Sequence, residues 1–357
     1  MKGTDLVVRD IIEEIANKMI HIENDSFAEE CSISIIDINK WEWAQGVGIY
    51  GLYKYWKYTK KEWCIDFLIK WFDERLKEGL PEKNINTCAP LLTITFLYEY
   101  TKNEKYLDII KEWAHWVMND MPRTKDGGLQ HITTGIENKG QIWIDTLMMT
   151  NLFLARAGKL LGIKEYVDES KHQFLIHIKY LFDKNSGLFY HGWSFERNDN
   201  FSATHWGRGN CWYTVCVGEY LEMVETEPFF KQYLLDTLVS QAEALQKYQC
   251  ESGMWRTIVD DETSYEESSA TAGFAYGILH AVRMGYIDEK YRDVAIKAIN
   301  ALHECVDENG ILQKVSYGTP VFENAENYKK IELCPMTYGQ ALAILCFTEE
   351  MINNQEN

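Results

Sequence analysis

One short phrase recurs four times along this chain: a turn glycine, then an apolar or aromatic pair, then a long polar side chain. The copies are Gly128-Leu129-Gln130-His131, Gly187-Leu188-Phe189-Tyr190-His191, Gly253-Met254-Trp255-Arg256 and Gly310-Ile311-Leu312-Gln313-Lys314. Their glycines lie about 60 residues apart, which is the length of one helical hairpin with its connections. Equivalent loops of stacked hairpins lie at one end of a fold. We therefore expect a shared mouth lined by the polar residue of each copy: His131, His191, Arg256 and Lys314.

Apolar residues recur at helical spacing through most of the chain, and alternating strand patterns are scarce. The predicted helices cover residues 5–21, 43–58, 62–78, 88–101, 104–119, 141–161, 165–182, 209–224, 229–249, 268–284, 289–305 and 336–352. The chain is thus predicted to be all-α, with its helices grouped into hairpins. Only six prolines occur and no Ser/Gly-rich linker interrupts the repeat, so we expect one domain over residues 1–357.

The two ends of the chain decide between an open and a closed arrangement. An open solenoid needs polar outer faces on its terminal repeats. The first helix instead has an apolar stripe, and the last, from Met336 to Met351, contains a long apolar run. These ends can cover each other, which closes the ring. The sequence therefore favours an (α/α)6 barrel, with inner helices rich in small residues around a central cavity open at one end.

Charge and cysteine usage exclude several functions. The formal net charge is −18 and the basic residues are dispersed, so nucleic acid and anionic membrane surfaces are poor partners. Nine cysteines without a CxxC pair indicate reduced core thiols. The N-terminal segment carries acidic residues where a signal peptide would be uncharged, and no run reaches membrane-spanning length. We expect a cytoplasmic protein. No metal-binding motif is present, and we expect neither metal nor cofactor.

Asp145 is a carboxylate among large apolar side chains, in Trp143-Ile144-Asp145-Thr146-Leu147-Met148-Met149. Burial disfavours the charged form and would raise its pKa, as a general acid near neutral pH requires. The alternative is a helix N-cap, because Asp before Thr-Leu-Met-Met is a good helix start. The position of Asp145 one loop after His131 favours catalysis.

The segment Trp206-Gly207-Arg208-Gly209-Asn210-Cys211-Trp212 is the densest cluster of functional residue types. Arg208 offers a planar fork for a carboxylate, and Trp206 and Trp212 offer flat faces for a sugar ring. A structural turn with core tryptophans is the alternative. A nucleotide-binding loop is disfavoured, since no strand precedes the glycines and no Lys-Ser/Thr follows them.

Other candidate substrate-binding residues are more isolated. They are Trp41, Trp43, Asn86, His131, His191, Arg256 and Thr319. Core packing is the alternative for the two tryptophans, a turn or cap for Asn86, and a satisfied structural role for each histidine.

Together these motifs resemble the unsaturated rhamnogalacturonyl hydrolases of glycoside hydrolase family 105, which are related to unsaturated glucuronyl hydrolases. The similarity covers residues 41–47, 84–87, 143–149, 190–193, 206–212 and 253–256, and extends to 269–272. It implies an (α/α)6 barrel with Asp145 as the catalytic residue. A second acidic position of related enzymes is Asn86 here, so we assign it no proton role, and Cys211 stands where a small residue is expected.

The reaction that this resemblance implies begins with a 4,5-unsaturated uronic acid at the non-reducing end of a lyase product from pectin. Asp145 protonates C4, and water activated by the same carboxylate adds at C5, which leads to release of the neighbouring sugar. A small unsaturated oligosaccharide is thus the expected partner. Two alternatives remain open: another (α/α)6 carbohydrate enzyme, such as a sugar epimerase, a hydrolase with paired carboxylates or an unsaturated glucuronyl hydrolase acting on glycosaminoglycan fragments, and a non-catalytic helical scaffold.

Overall fold

The computed structural model describes residues 2–22 and 36–356. Its α-helices are α1 Lys2–Met19, α2 Trp43–Thr59, α3 Glu62–Glu78, α4 Ala89–Thr101, α5 Glu104–Asn119, α6 Leu152–Leu161, α7 Lys164–Leu181, α8 Gly207–Met223, α9 Pro228–Tyr248, α10 Ser268–Arg283, α11 Arg292–His303, α12 Ala325–Tyr328 and α13 Thr337–Glu356. Three short antiparallel strand pairs join them: β1 Gln141–Trp143 with β4 Gly192–Ser194, β2 Phe182–Asp183 with β3 Leu188–Phe189, and β5 Trp255–Arg256 with β6 Glu266–Glu267. Among the helices described, none is long and apolar enough to cross a membrane.

The long helices form two concentric rings. Each inner helix contacts the next in the order α2, α4, α6, α8, α10 and α13, and α13 returns to α2. The outer helices α3, α5, α7, α9 and α11 each pack on the inner helix that precedes them, and α1 packs on α13. The first and last helices thus form the sixth hairpin. The predicted (α/α)6 barrel, closed by its own termini, is confirmed.

Small residues let the inner helices α8 and α10 approach closely. A Cβ on Gly273 of α10 would lie 2.6 Å from the Sγ of Cys211, and one on Gly277 would lie 2.5 Å from the carbonyl oxygen of Thr214. Neither position has room for a side chain. Cys211, which stands where the family resemblance leads us to expect a small residue, fills the space that Gly273 leaves free.

The predicted helix over 141–161 is wrong in its first third. Residues Gln141–Trp143 form β1, in which Ile142 is buried between two partly exposed neighbours and pairs with Trp193. This alternation is the period of a strand. A single π-helical turn, Leu147–Asn151, then leads into α6, with the Leu152 N–H bonded to the Leu147 carbonyl. Such turns are frequent at functional sites.

The repeated glycine phrase attaches each loop to the next outer helix. Gly187 lies against α9, Gly253 against α11 and Gly310 against α1, each with positive φ and with outer-helix backbone less than 3 Å from an added Cβ. Gly127, at φ 84°, takes the equivalent place against α7. Two residues after each glycine, a backbone N–H donates to a buried polar side chain. The pairs are Leu129 with Gln173, Phe189 with Asn210, Trp255 with Thr271, and Leu312 with Gln340.

The four predicted polar residues differ in register and in where their side chains lie. Counted from Gly127 and Gly187, His131 and His191 occupy equivalent positions. Arg256 lies one residue earlier relative to Gly253 and donates to the Sγ of Cys250 instead. Lys314 has the equivalent position but remains half-exposed beside Glu266, at 3.9 Å. Of the four side chains predicted to share one mouth, only His131 lines the cavity at this end of the barrel; Arg256 and Lys314 lie away from it, and His191 is fully buried behind its wall.

Candidate active site

A cavity of about 330 Å³ opens at the end of the barrel where the inner helices begin, a volume within the usual range for small-molecule sites. Aromatic side chains form part of its wall: Trp43, Trp143, Phe201 and Trp206. The polar part of its wall includes Glu42, Asn86, His131, Asp145, Arg208 and Thr319. Because the N-terminal ends of helices point toward this space, their dipoles favour an anion there.

Asp145 lines the cavity, and the fully buried side chain of His191 lies directly beside it. The pairing of β1 with β4 continues into an Ile144 N–H bond to the His191 carbonyl, which brings the two segments together. The His191 Nε2 then lies 3.2 Å from the Asp145 Oδ2. This contact is an ion-pair distance, and within the described ranges neither atom meets hydrogen-bond geometry with any partner. The Nδ1 of His191 is 2.8 Å from the hydroxyl of Tyr328.

The pKa of Asp145 is lowered, contrary to the expectation from its apolar sequence neighbours. Burial does raise this pKa, but His191 and His131 outweigh the effect of burial. Burial also lowers the pKa of His131, to about 3, and lowers that of His191. Near neutral pH the free site therefore holds an ionised carboxylate between two neutral imidazoles.

His131 supports the opposite side of the site. Its ring stacks on Trp143 at a centroid distance of 4.2 Å, and its Nδ1 lies 2.9 Å from the Thr146 hydroxyl. Trp143 in turn meets the His191 ring edge-on at 5.6 Å. The two histidines thus fix the indole that lines the cavity beside Asp145.

Glu42 is a second carboxyl group in the cavity wall, and the sequence reasoning gave it no role. It caps α2, with its Oε2 accepting the Trp43 N–H at 2.8 Å. Burial raises the pKa of Glu42. The bond to Trp43 and the Thr134 hydroxyl lower this pKa by less, so the net shift is upward. An acidic residue directly before the predicted helix start at 43 is the signal that could have identified it.

Arg208 lines the cavity, but its terminal nitrogens are occupied. Nη1 donates to the Ser316 hydroxyl at 2.6 Å and its carbonyl at 3.0 Å, and Nη2 donates to the Tyr317 carbonyl at 3.0 Å and to Thr319 at 3.1 Å. The guanidinium carbon lies 4.6 Å from the ring centroids of both Trp206 and Tyr338. The fork expected to bind a carboxylate thus holds the loop 316–319. A buried guanidinium needs such acceptors in place of water.

The four predicted tryptophans divide between the wall and the core. Trp43 and Trp206 line the cavity. Trp41 stacks on Trp71 and donates its Nε1 to the Thr87 carbonyl, and Trp212 is fully buried in α8, so neither of them lines the cavity. Asn86 and Thr319 do line it. Trp143, which sequence reasoning treated only as a neighbour of Asp145, lines the wall as well.

An (α/α)6 barrel whose open end combines stacked aromatic rings with carboxyl groups is typical of carbohydrate-active enzymes. The chain belongs to Glycosyl Hydrolase Family 88, whose model matches residues 11–353. It is 35% identical over 309 residues to the unsaturated rhamnogalacturonyl hydrolase YesR of Bacillus subtilis, covering 85% of this chain and 88% of that protein. The resemblance inferred from the sequence motifs is thereby confirmed.

Solved structures agree with this assignment. A crystal structure from Salmonella enterica, described as a possible member of the GH105 family, is 42% identical and superposes with a TM-score of 0.94, covering 97% of this chain and 94% of the other. The unsaturated glucuronyl hydrolase of Bacillus sp. GL1 is only 19% identical, with a TM-score of 0.70 over 97% and 96% of the two chains. The second likeness concerns the fold alone.

Proposed function

We propose that this enzyme releases a 4,5-unsaturated uronic acid from the non-reducing end of rhamnogalacturonan-type oligosaccharides produced by pectin lyases, with Asp145 as the catalytic residue. The observation that carries the proposal is the Asp145 carboxylate, held by His191 in the wall of an aromatic cavity. The similarity to YesR supports the substrate class.

The reaction requires one carboxyl group. Asp145 gives a proton to C4, and the C4–C5 π electrons form the new C–H bond, which leaves positive charge shared by C5 and the ring oxygen. Water then adds at C5 and returns its proton to Asp145. The resulting hemiketal opens to a C5 ketone and a hemiacetal at C1, which expels the neighbouring sugar as an alcohol. Asp145 ends the cycle protonated, as it began.

Substrate binding supplies the protonated form that the free site lacks. The substrate carries a carboxylate, and a like charge close to Asp145 raises its pKa. The helix N-termini at this end of the barrel favour binding of that carboxylate. The low pKa of the free enzyme is thus compatible with an acid role in the complex.

The rim of the cavity favours a neutral, partly apolar aglycone. Pro320, Val321 and Phe201 line it together with Ile136, whose side chain is 52% exposed. A 6-deoxy sugar such as rhamnose, with its methyl group, fits this surface better than a glycosaminoglycan sugar.

A conventional hydrolase with paired carboxylates is the second candidate. Glu42 and Asp145 share the cavity, and their pKa values are displaced in opposite directions, a pattern found in acid/base pairs. The capping bond argues against it, because Glu42 already accepts the Trp43 N–H and is held at the start of α2.

Deuterium labelling separates these two functions. An unsaturated galacturonyl-rhamnose disaccharide is incubated in heavy water, and the product is analysed by mass spectrometry after exchangeable positions are returned to hydrogen. Hydration places deuterium at C4, whereas a conventional hydrolase protonates the glycosidic oxygen and leaves C4 unlabelled. Samples are taken early, because C4 beside the new ketone can exchange slowly by itself. Rapid cleavage of the saturated disaccharide, or an unlabelled C4, would overturn the proposal.

We further propose that the enzyme works in the cytoplasm on small oligosaccharides. In its support, all eight cysteines of the described ranges are free thiols in buried positions, as expected for a reducing compartment. Recovery of the enzyme activity in the secreted fraction of source cells, and not in the cell extract, would contradict this location.

A further inference from the structure

Tyr328, at the end of the short helix α12, contacts His191, the neighbour of Asp145. Its side chain is fully buried, and its hydroxyl oxygen lies 2.8 Å from the Nδ1 of His191. The Phe322 N–H donates to the same oxygen at 3.1 Å. The Phe322 N–H uses one lone pair of this oxygen, and donation to the His191 Nδ1 is the arrangement of these two contacts that also satisfies the phenolic proton of the buried hydroxyl.

These contacts determine which nitrogen of His191 carries its proton. A neutral imidazole has one N–H donor and one acceptor. Because Nδ1 accepts from Tyr328, the proton resides on Nε2, which faces the Asp145 Oδ2 at 3.2 Å. The ring cannot readily turn, since it lies 4.1 Å from the Trp206 ring and edge-on to Trp143.

We propose that Tyr328 is a positioning residue for the reaction of Asp145: it holds His191 in the tautomer protonated on Nε2 and so keeps an N–H donor against the carboxylate. The inference rests on the proposed role of Asp145. The other tautomer would place a lone pair of Nε2 opposite the carboxylate, which is repulsive. Loss of the Tyr328 hydroxyl would therefore weaken the His191 donor and make Asp145 easier to protonate in the free enzyme.

Other charged and titratable groups surround the pair and remain unchanged when Tyr328 is altered. His131 acts on Asp145 from the loop before β1, and Arg208 acts on His191 from α8. His177 of α7 interacts with Asp145 at longer range, and Glu42 shares the cavity. A shift seen in a Tyr328 variant is thus attributable to the phenol.

The test is the variant Tyr328→Phe, with Tyr265→Phe as a matched control. The Tyr265 hydroxyl donates to the main-chain carbonyl of Tyr328 at 3.4 Å, so the control loses a hydroxyl that contacts the same helix but not His191. Nitrogen-15 NMR of the imidazoles, with the His191 signals assigned through His191→Gln, reads the tautomer directly. We expect His191 protonated on Nε2 in the wild type and in Tyr265→Phe, and a mixture of tautomers in Tyr328→Phe.

Kinetics give a second measurement. In Tyr328→Phe we expect kcat to fall about tenfold, because Asp145 loses the N–H that holds its carboxyl group in place, while KM changes much less. The limb of the kcat/KM profile that reports Asp145 should move to higher pH, since the carboxylate is then easier to protonate. Tyr265→Phe should keep the wild-type profile. A wild-type His191 protonated on Nδ1, or an unchanged tautomer in Tyr328→Phe, would overturn the proposal even if the variant folds poorly. If the tautomer is as expected while an Asp145 variant stays active, the proposed function fails, and only the control of the His191 tautomer by Tyr328 stands.

Discussion

Glu42 and Asp145 line the same cavity, but opposite effects dominate their pKa values. Burial raises the pKa of Glu42 despite its capping bond, whereas His191 and His131 hold the pKa of Asp145 low despite burial. Two carboxyl groups with such different environments can divide acid and base roles between them. Their contributions are therefore tested separately.

Asp145→Asn should abolish turnover while the fold remains intact. The amide keeps the shape and can still accept from His191, but it cannot deliver a proton to C4. General acid/base catalysis is worth about 10²–10⁴-fold, so kcat should fall by at least that range. Steady-state rates and circular dichroism measure the two effects. Activity above about a tenth of wild type would remove Asp145 from its proposed role.

Glu42→Gln should lower kcat by less than about tenfold, because the amide oxygen can still cap α2 and no proton transfer is lost. A loss of about 100-fold or more would instead favour the paired-carboxylate hydrolase. The variant Asn103→Ala is the control for the cost of a lost cap. Asn103 accepts the Lys105 N–H at 3.1 Å at the start of α5, and it is not a residue of the cavity wall. It should change stability and not kcat.

Acid should destabilise the protein in part through its buried histidines. Burial lowers the pKa of His177 from the usual 6.5 to about 4. The stability that neutral His177 contributes is fully present above pH 6.5 and is lost as the pH falls toward 4. In this window the unfolded chain binds a proton at His177 more readily than the folded protein does. His177→Gln should reduce the slope of unfolding free energy against pH in this window by up to about 1.4 kcal/mol per pH unit. Urea titrations at several pH values measure it, and a slope unchanged from wild type would contradict the prediction.

Arg208→Lys should destabilise the fold as well as impair the site. An ammonium group cannot reproduce the bonds to the Ser316 and Tyr317 carbonyls and to Thr319, and buried acceptors without donors are costly. We expect a loss of about 3 kcal/mol in unfolding free energy together with a higher KM. A raised KM at unchanged stability would show that Arg208 binds the substrate carboxylate directly.

More of the fold than of the candidate site could be predicted from the sequence. Apolar ends and a repeat of about 60 residues were sufficient for a closed ring of hairpins, because both follow from burial of helix faces. Helical spacing could not tell which side of the ring a tryptophan faces, so Trp41 and Trp212 were assigned to the cavity and lie in the core. The partners of Arg208 come from a loop about 110 residues away, which no local pattern connects to it.

The register of the glycine phrase was the other source of error. The sequence comparison of the four phrases begins the first copy at Gly128. In the structure, the glycine with positive φ that lies against the outer helix is Gly127. The two histidines are nevertheless equivalent, because each lies four residues after the glycine with positive φ, Gly127 or Gly187. Arg256 was not equivalent, and its side chain turns to Cys250. Sequence alone cannot decide between two adjacent glycines when both fit a turn.

The attachment of these loops to the outer ring gives a last prediction, for which the chain offers a matched pair of glycines. Gly253 and Gly79 have nearly the same positive φ, 97° and 99°, so an alanine is strained at both. They differ in space: a Cβ on Gly253 would lie 2.5 Å from the Lys297 carbonyl oxygen, whereas none of the described atoms lies within 4 Å of one on Gly79. Gly253→Ala should therefore cost about 2 kcal/mol more than Gly79→Ala, because the loop must move away from α11. Chemical denaturation of both variants measures the difference, and equal losses would contradict the role of the phrase in holding loop and outer helix together.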